Sequence, residues 1–297
     1  AGPGGNVAHV GVHCYSSTDL YNWKNEGVAL AISKDPTSEI TDGCIIERPK
    51  VLYNAKTKKY VMWFHLELKG QGYAAARCGI ATSDTPAGPY TYLKSIRPDA
   101  GAWPLDVTDD DRKGKVARDF TTGQMARDMT LFQDDDGTAY LVASSEDNGK
   151  IHVSQLTDDY LGTPGKYVRA LYWSEAPAVF KHDGRYYMIV SGCSGWAPNA
   201  ATIGVASSML GKWTSLGNPC RGEPGQLKTT FESQSTAVLP VAGQPDAFIF
   251  MGDRWRPDNA IDGRYVWLPI QFENGMPVLK WLPHWDLTVF PPAPASK

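Results

Sequence analysis

Four short stretches of this chain place a charged or amide side chain directly before an apolar run. They are "ERPKVLYN" from Glu47, "RDMTLFQ" from Arg127, "EAPAVFK" from Glu175 and "SQSTAV" from Ser233, the last preceded by Glu232. Three carboxylates (Glu47, Asp128, Glu175), Arg127 and the amide Gln234 therefore stand at comparable places. If the fold gathers those places, the carboxylates crowd one another. Like charges held close raise a carboxyl pKa, which keeps a general acid protonated near neutral pH. A pair of carboxyl groups about 6.5–9.5 Å apart across a pocket is the arrangement for inverting glycoside hydrolysis. The competing reading is that these charges cap strands or pair with one another. His9, His13, His65 and His182 show no ligand spacing, and a metal site needs a convergent set.

The elements around these residues repeat. Each stretch reads as a hairpin: a short apolar strand, a turn, then a second apolar strand. The turns fall at Asn54 to Lys59, Asp134 to Gly137, His182 to Gly184 and Pro240 to Pro245. Asn, Asp, Gly and Pro there supply the dihedrals that hairpins need. The flanking runs are rich in Val, Ile, Tyr and Phe. A third strand follows, with a recurring phrase: "IATSD" from Ile80, "VSQLTDD" from Val153 and "VASS" from Val205. The start of the chain carries the same phrase in "HCYSSTD" from His13. Four antiparallel strands per unit, at spacings of 80, 48 and 58 residues, describe propeller blades.

The expected fold is an all-β, five-bladed β-propeller formed by residues 1–297 as one domain. Its blades span about 1–36, 44–97, 124–171, 172–222 and 230–290. The first blade opens at what should be its third strand and is expected to be incomplete at the N-terminus. Residues from about 97 to 118 form an insertion, read as a polar surface loop, with Trp103 as an alternative wall for a substrate site. In a propeller the innermost strands line the central channel, so residues opening those strands converge although far apart in sequence.

Composition narrows the function. Formal net charge is −3, so no basic footprint argues for nucleic acid. No apolar run of about 18 residues suggests a membrane span. There are 10 Trp and 14 Tyr, a supply of rings on which sugar C–H faces stack. Trp196 and Asn199 in "SGWAPN", Trp255 after Arg254, and Tyr73 are candidate sugar-binding residues, each competing with a packing role. The five cysteines, Cys14, Cys44, Cys78, Cys193 and Cys220, form no metal motif. Cys193 with Cys220 is the best candidate disulfide, against the reading of free thiols. "AGPGGNVAHV" lacks the basic and apolar regions of a signal peptide.

With these residues in view, the sequence resembles glycoside hydrolase family 43, whose fold is a five-bladed propeller. The motifs that carry the resemblance are "IERPKVLYN", "RDMTLFQDDDG", "SEAPAVFKHDGRYYMIVSGCSGWAPN", "GKWTSLGNPC" and "FESQST". Their order is similar to that of the exo-β-1,3-galactanase group, often numbered subfamily 24, over about residues 12 to 290. The resemblance implies Glu175 as general acid, Asp128 as the residue tuning its pKa, and Glu47 as a ligand of terminal galactose. The family's usual base, an aspartate on the first strand of the first blade, cannot be read in this sequence; galactanase-like members lack it, and the resemblance implies Gln234, in the last blade, as holder of the attacking water. A neutral amide is a poor base, so Gln234 can position water, while proton removal needs another route such as an imidic tautomer. Glu232 is a weaker alternative. The implied activity is inverting removal of terminal galactose from β-1,3-galactan or arabinogalactan chains. Alternatives are an α-L-arabinofuranosidase or β-xylosidase of the same family, or a carbohydrate-binding propeller without turnover. No cofactor is expected to be required, although some family members hold an ion such as calcium in the channel. A monomer, secreted or periplasmic, is expected.

Overall fold

The computed structural model describes residues 7–256, 259 and 262–290. The chain is all-β with short helices. β1 (Gly11–Ser16) and β2 (Lys24–Ala31) pair as a two-stranded sheet. Three four-stranded antiparallel sheets follow. The first is β3 (Ile45–Asn54), β4 (Lys59–Glu67), β5 (Arg77–Ser83) and β6 (Thr91–Ile96). The second is β7 (Met129–Gln133), β8 (Ala139–Ser145), β9 (Lys150–Gln155) and β10 (Tyr167–Tyr172). The third is β11 (Ser174–His182), β12 (Arg185–Gly192), β13 (Thr202–Ala206) and β14 (Thr214–Gly217).

The fifth unit departs from four strands. β16 (Gln234–Pro240), β17 (Phe248–Arg254) and β18 (Arg264–Pro269) form a three-stranded sheet. β19 (Gln271–Glu273) and β20 (Met276–Lys280) form a separate hairpin, and β20 runs parallel to β15 (Cys220–Arg221). Pro269 closes β18, where a missing N–H is tolerated at a strand end.

Local sequence explains the hairpins. At the β3–β4 turn the Asn54 side chain accepts the N–H of Lys56 at 3.0 Å and of Thr57 at 2.9 Å. At the β11–β12 turn Asp183 and Gly184 take φ of 49° and 70°, the double left-handed step that matches strand twist. β4, "KYVMWFHLE", is buried along nearly its whole length. It lies in the interior of its sheet with both faces covered, so it reads as a continuous apolar run instead of an alternating one.

The core consists of layers between consecutive sheets. Val61, Trp63 and Ile80 pack against Met129, Leu141 and Ala143. Val142, Ile151 and Val168 pack against Val179, Met188 and Val190. Phe180, Tyr187 and Ile189 pack against Phe248, Phe250 and Val266. β11 also packs against β7 on one side and β16 on the other, and β7 against β3. The leading strands of the sheets thus stand side by side, and this brings their first residues together. Among the described residues two short α-helices interrupt the sheets. α1 (Lys115–Arg118) lies in the expected surface insertion, and α2 (Pro224–Thr229) precedes β16. Among the described residues no helix is long and apolar enough to cross a membrane.

All five cysteines are unpaired. The expected Cys193–Cys220 disulfide does not form. Cys220 is buried in the layer with Phe231 and Leu279, whereas Cys193 is exposed beside the Asn148 carbonyl. Trp103 does not wall the candidate pocket: it stacks on Phe120 at 4.5 Å under the Arg112 guanidinium.

Candidate active site

Three leading strands bulge where the candidate residues stand: β3 between Glu47 and Lys50, β11 between Glu175 and Ala178, and β16 between Ser235 and Ala237. A bulge re-aims side chains. On β3 it lets the consecutive residues Glu47 and Arg48 both line the same cavity. Arg48 and Ala176 hold φ of 53° and 54°, each followed by a proline that has no N–H to lose from the ladder. Two further segments are more unusual. Glu146, Asp147 and Asn148 have φ of 52°, 55° and 61°, and Thr230, Phe231 and Glu232 have φ of 49°, 57° and 59°. Each non-glycine residue held there costs about 1–3 kcal/mol, and such strain concentrates at functional sites. The first run presents Asn148 and the second leads into Gln234.

The cavity they form holds about 320 Å³, at the small end of ligand sites. Glu47, Tyr73, Arg127, Asp128, Glu175, Trp196, Gln234 and Trp255 all line it, as sequence reasoning expects. Asn199 does not. Its amide is spent on the N–H and C=O of Gly192, at 2.8 and 2.7 Å, and shapes the loop that carries Trp196. Trp196 and Trp255 meet edge to face at 5.1 Å and make an aromatic wall. Glu232 points away, its side chain 70% exposed and paired with Arg254. It precedes β16 in a left-handed turn, so strand alternation does not carry it to the face of Gln234.

Arg48, which sequence reasoning passed over, is the buried centre of the site. Its guanidinium donates to Asp253 at 2.7 Å, to Asp128 at 3.0 Å and to the Ser235 carbonyl at 3.3 Å, and it also bonds Gln234 Oε1. Burial pushes the Asp128 carboxyl up, but the Arg48 charge and hydrogen bond outweigh it and leave Asp128 below its ordinary range. For Asp253 burial prevails over Arg48 and Lys50, and its pKa is raised. Lys50, half-buried beside the same guanidinium, is held down to about 8 by the loss of hydration and by the Arg48 charge.

Glu175 behaves oppositely to Asp128. Burial, reinforced by the nearby Asp128 charge, pushes its carboxyl up to about 7, against the opposing pull of the Gln234 hydrogen bond, Arg48 and Arg127. Gln234 Nε2 donates to Glu175 Oε1 at 2.8 Å, and Asn148 Nδ2 donates to Oε2 at 3.2 Å. The amide orientation of Gln234 follows from its neighbours. Arg48 and the Trp255 ring N–H are pure donors, so the oxygen faces them and the NH2 faces Glu175 and Ser191. Gln234 thus sits against the acid, with its oxygen already occupied.

On the other side, Glu47 accepts the Tyr73 hydroxyl at 2.7 Å and bonds His65 Nδ1 at 3.0 Å. Glu47, His65 and Asp128 bring metal-ligand atoms within 4.8 Å of one another. Both nitrogens of His65 are engaged by carboxylates, however, and Asp128 is bonded to Arg48. As arranged, the cluster is held by hydrogen bonds. A second cavity of about 280 Å³, walled by Trp23, Tyr265, Trp267, Trp281 and Trp285, contains the carboxylates of Asp19 and Asp286. Both of these bond nearby backbone N–H groups, so that cavity lacks a convergent acid–base set.

Sequence reasoning missed Arg48, Asp253, His65, Glu67 and Asn148. The first had a signal: it lies between Glu47 and Pro49, where a bulge turns its side chain inward.

Comparison with known proteins identifies the family of the chain. The family model for glycosyl hydrolases family 43 matches residues 5–226. No curated protein matches. Among solved structures, a family 43 β-1,3-galactosidase with galactodeoxynojirimycin is 50% identical, with a TM-score of 0.92 over 96% of this chain and 90% of that one. The exo-β-1,3-galactanase from Phanerochaete chrysosporium with galactose is 35% identical, with a TM-score of 0.75 over 91% of this chain and 56% of that one. An exo-β-1,3-galactanase from Clostridium thermocellum is 35% identical, with a TM-score of 0.73 over 91% of this chain and 55% of that one. The chain belongs to glycosyl hydrolases family 43.

Proposed function

We propose that this protein is an inverting glycoside hydrolase that removes terminal galactose from β-1,3-galactan chains of the arabinogalactan type. The observation that carries the proposal is the pair of neighbouring carboxyl groups held in opposite states. Glu175 keeps its proton to about pH 7 while Asp128 stays ionised beside Arg48. Two titratable groups pushed apart by their surroundings are the mark of acid–base assignment. The cavity is small enough to suit one terminal sugar, and the relatives act on β-1,3-galactosyl linkages by name.

In this reading Glu175 donates its proton to the departing glycosidic oxygen. Asp128 keeps that proton in place and orients the sugar with Arg127 and Glu47. Tyr73, Trp196 and Trp255 bind the ring. Gln234 is assigned to position the attacking water through its amide, which exchanges its bond to Glu175 or Ser191 for one to water once the sugar is bound. Its oxygen is occupied by Arg48, so the proton that water loses as the new C–O bond forms passes to solvent, and solvent reprotonates Glu175. The reading includes a single five-bladed propeller over 1–297, supported by the side-by-side packing of β3, β7, β11 and β16. It also includes a monomer with no required cofactor, secreted or periplasmic, where a polysaccharide is accessible.

The test is release of galactose from β-1,3-galactan by the protein and by Glu175→Gln. The substitution is expected to lower kcat about 10²–10⁴-fold, the usual contribution of a general acid. No release by the unsubstituted protein refutes the function. Release equal in both refutes the acid.

A further inference from the structure

Behind Glu47 lies a group that the proposed chemistry does not use. His65 on β4 is 1% exposed. Its ring nitrogens meet Glu47 Oε2 at 3.0 Å and Glu67 Oε1 at 2.9 Å. Glu67 is wholly buried, and its other oxygen accepts the Ala76 N–H at 3.0 Å, which fixes it in place. Carboxylates are acceptors only, so an imidazole bonded to one through each nitrogen carries a proton on both. The geometry thus asks for an imidazolium. The charged groups around it are Glu47 and Arg48 of β3, Glu67 of β4 itself and Asp128 at the head of β7. Burial opposes the charge on His65, but the bonds to Glu47 and Glu67 outweigh it and hold the ring up to about 9.

We propose that His65 is a positioning residue. Anchored by Glu67, it holds Glu47 aimed into the pocket as a fixed acceptor for hydroxyl groups of the terminal sugar. With Tyr73 on one oxygen and His65 on the other, the carboxylate cannot swing. Its remaining lone pairs are left for sugar O–H donors. Preorganisation of this kind removes part of the ordering cost of binding. The inference rests on the reading that this pocket takes terminal galactose.

The experiment measures binding, so that the titration of Glu175 does not intrude. In the Glu175→Gln protein, affinity for β-1,3-galactobiose is followed by calorimetry from pH 6 to 10. Affinity is expected to fall as pH rises through about 9, where His65 loses its proton. Adding Glu67→Gln, which leaves the pocket surface unchanged, is expected to weaken binding about tenfold at pH 7 and move the fall towards neutrality. Adding His65→Gln is expected to weaken binding and remove the inflection. An inflection that survives His65→Gln, or binding that a folded Glu67→Gln variant leaves unaltered, overturns the proposal. Ring-nitrogen NMR shifts of His65 need no ligand: a neutral ring at pH 7.5 also overturns it. Absence of galactobiose binding with an imidazolium present counts instead against the galactose reading.

Discussion

Glu175→Gln should change stability in a pH-dependent way that reports the acid's proton without any substrate. The folded pKa of Glu175 is about 7 and its ordinary value 4.5. Between those values the unfolded chain has lost the proton and the folded chain has kept it. Fewer protons are bound when unfolded, so stability falls as pH rises through this window. The shift corresponds to roughly 3 kcal/mol, at about 1.4 kcal/mol per pKa unit. Glutamine does not ionise, so the variant escapes this penalty. It meets its own cost, because Gln234 and Asn148 both present N–H groups to Glu175 and an amide offers only one oxygen. Losing one such bond costs about 1 kcal/mol. The variant should therefore be less stable than the parent by about 1 kcal/mol at pH 4.5 and more stable by about 2 kcal/mol at pH 8. Urea denaturation of both proteins at several pH values measures this. A stability difference that does not change sign or slope across pH 4.5–8 refutes the raised pKa, and with it the physical basis for naming Glu175 the acid.

Other outcomes follow from the same network. Activity on β-1,3-galactan should decline as pH rises through about 7, because the acid must be protonated; a profile rising to pH 9 contradicts this. Asp128→Asn removes the nearest anion, so the remaining activity should hold its alkaline limb at lower pH than the parent, as a pH–rate profile would show. Arg48→Met leaves the half-buried Asp128 and Asp253 without their cation and should cost about 3 kcal/mol in urea denaturation, more than the loss of one surface pair. Asn148→Asp places a second anion against Glu175 Oε2 and should move the alkaline limb up.

The sequence by itself determined the units and the places of chemistry. Strand composition, turn residues and the repeated phrase mark the hairpins, because those rules act over a few residues. The positions of Glu47, Asp128, Glu175 and Gln234 at the heads of leading strands follow from the same repeat, and the structure brings all four to one cavity. Tertiary structure alone decided what these side chains do to each other. Arg48 reaches Asp253 across 205 positions and Gln234 across 186, separations that no local pattern records. The departures of the fifth unit from four strands, the free thiol of Cys193 and the diversion of Asn199 into its own loop were likewise settled by packing. Which carboxyl keeps its proton is also a tertiary outcome. Dehydration and charge act through space, and Glu175 and Asp128, alike in sequence, are driven apart by burial on one side and a buried guanidinium on the other.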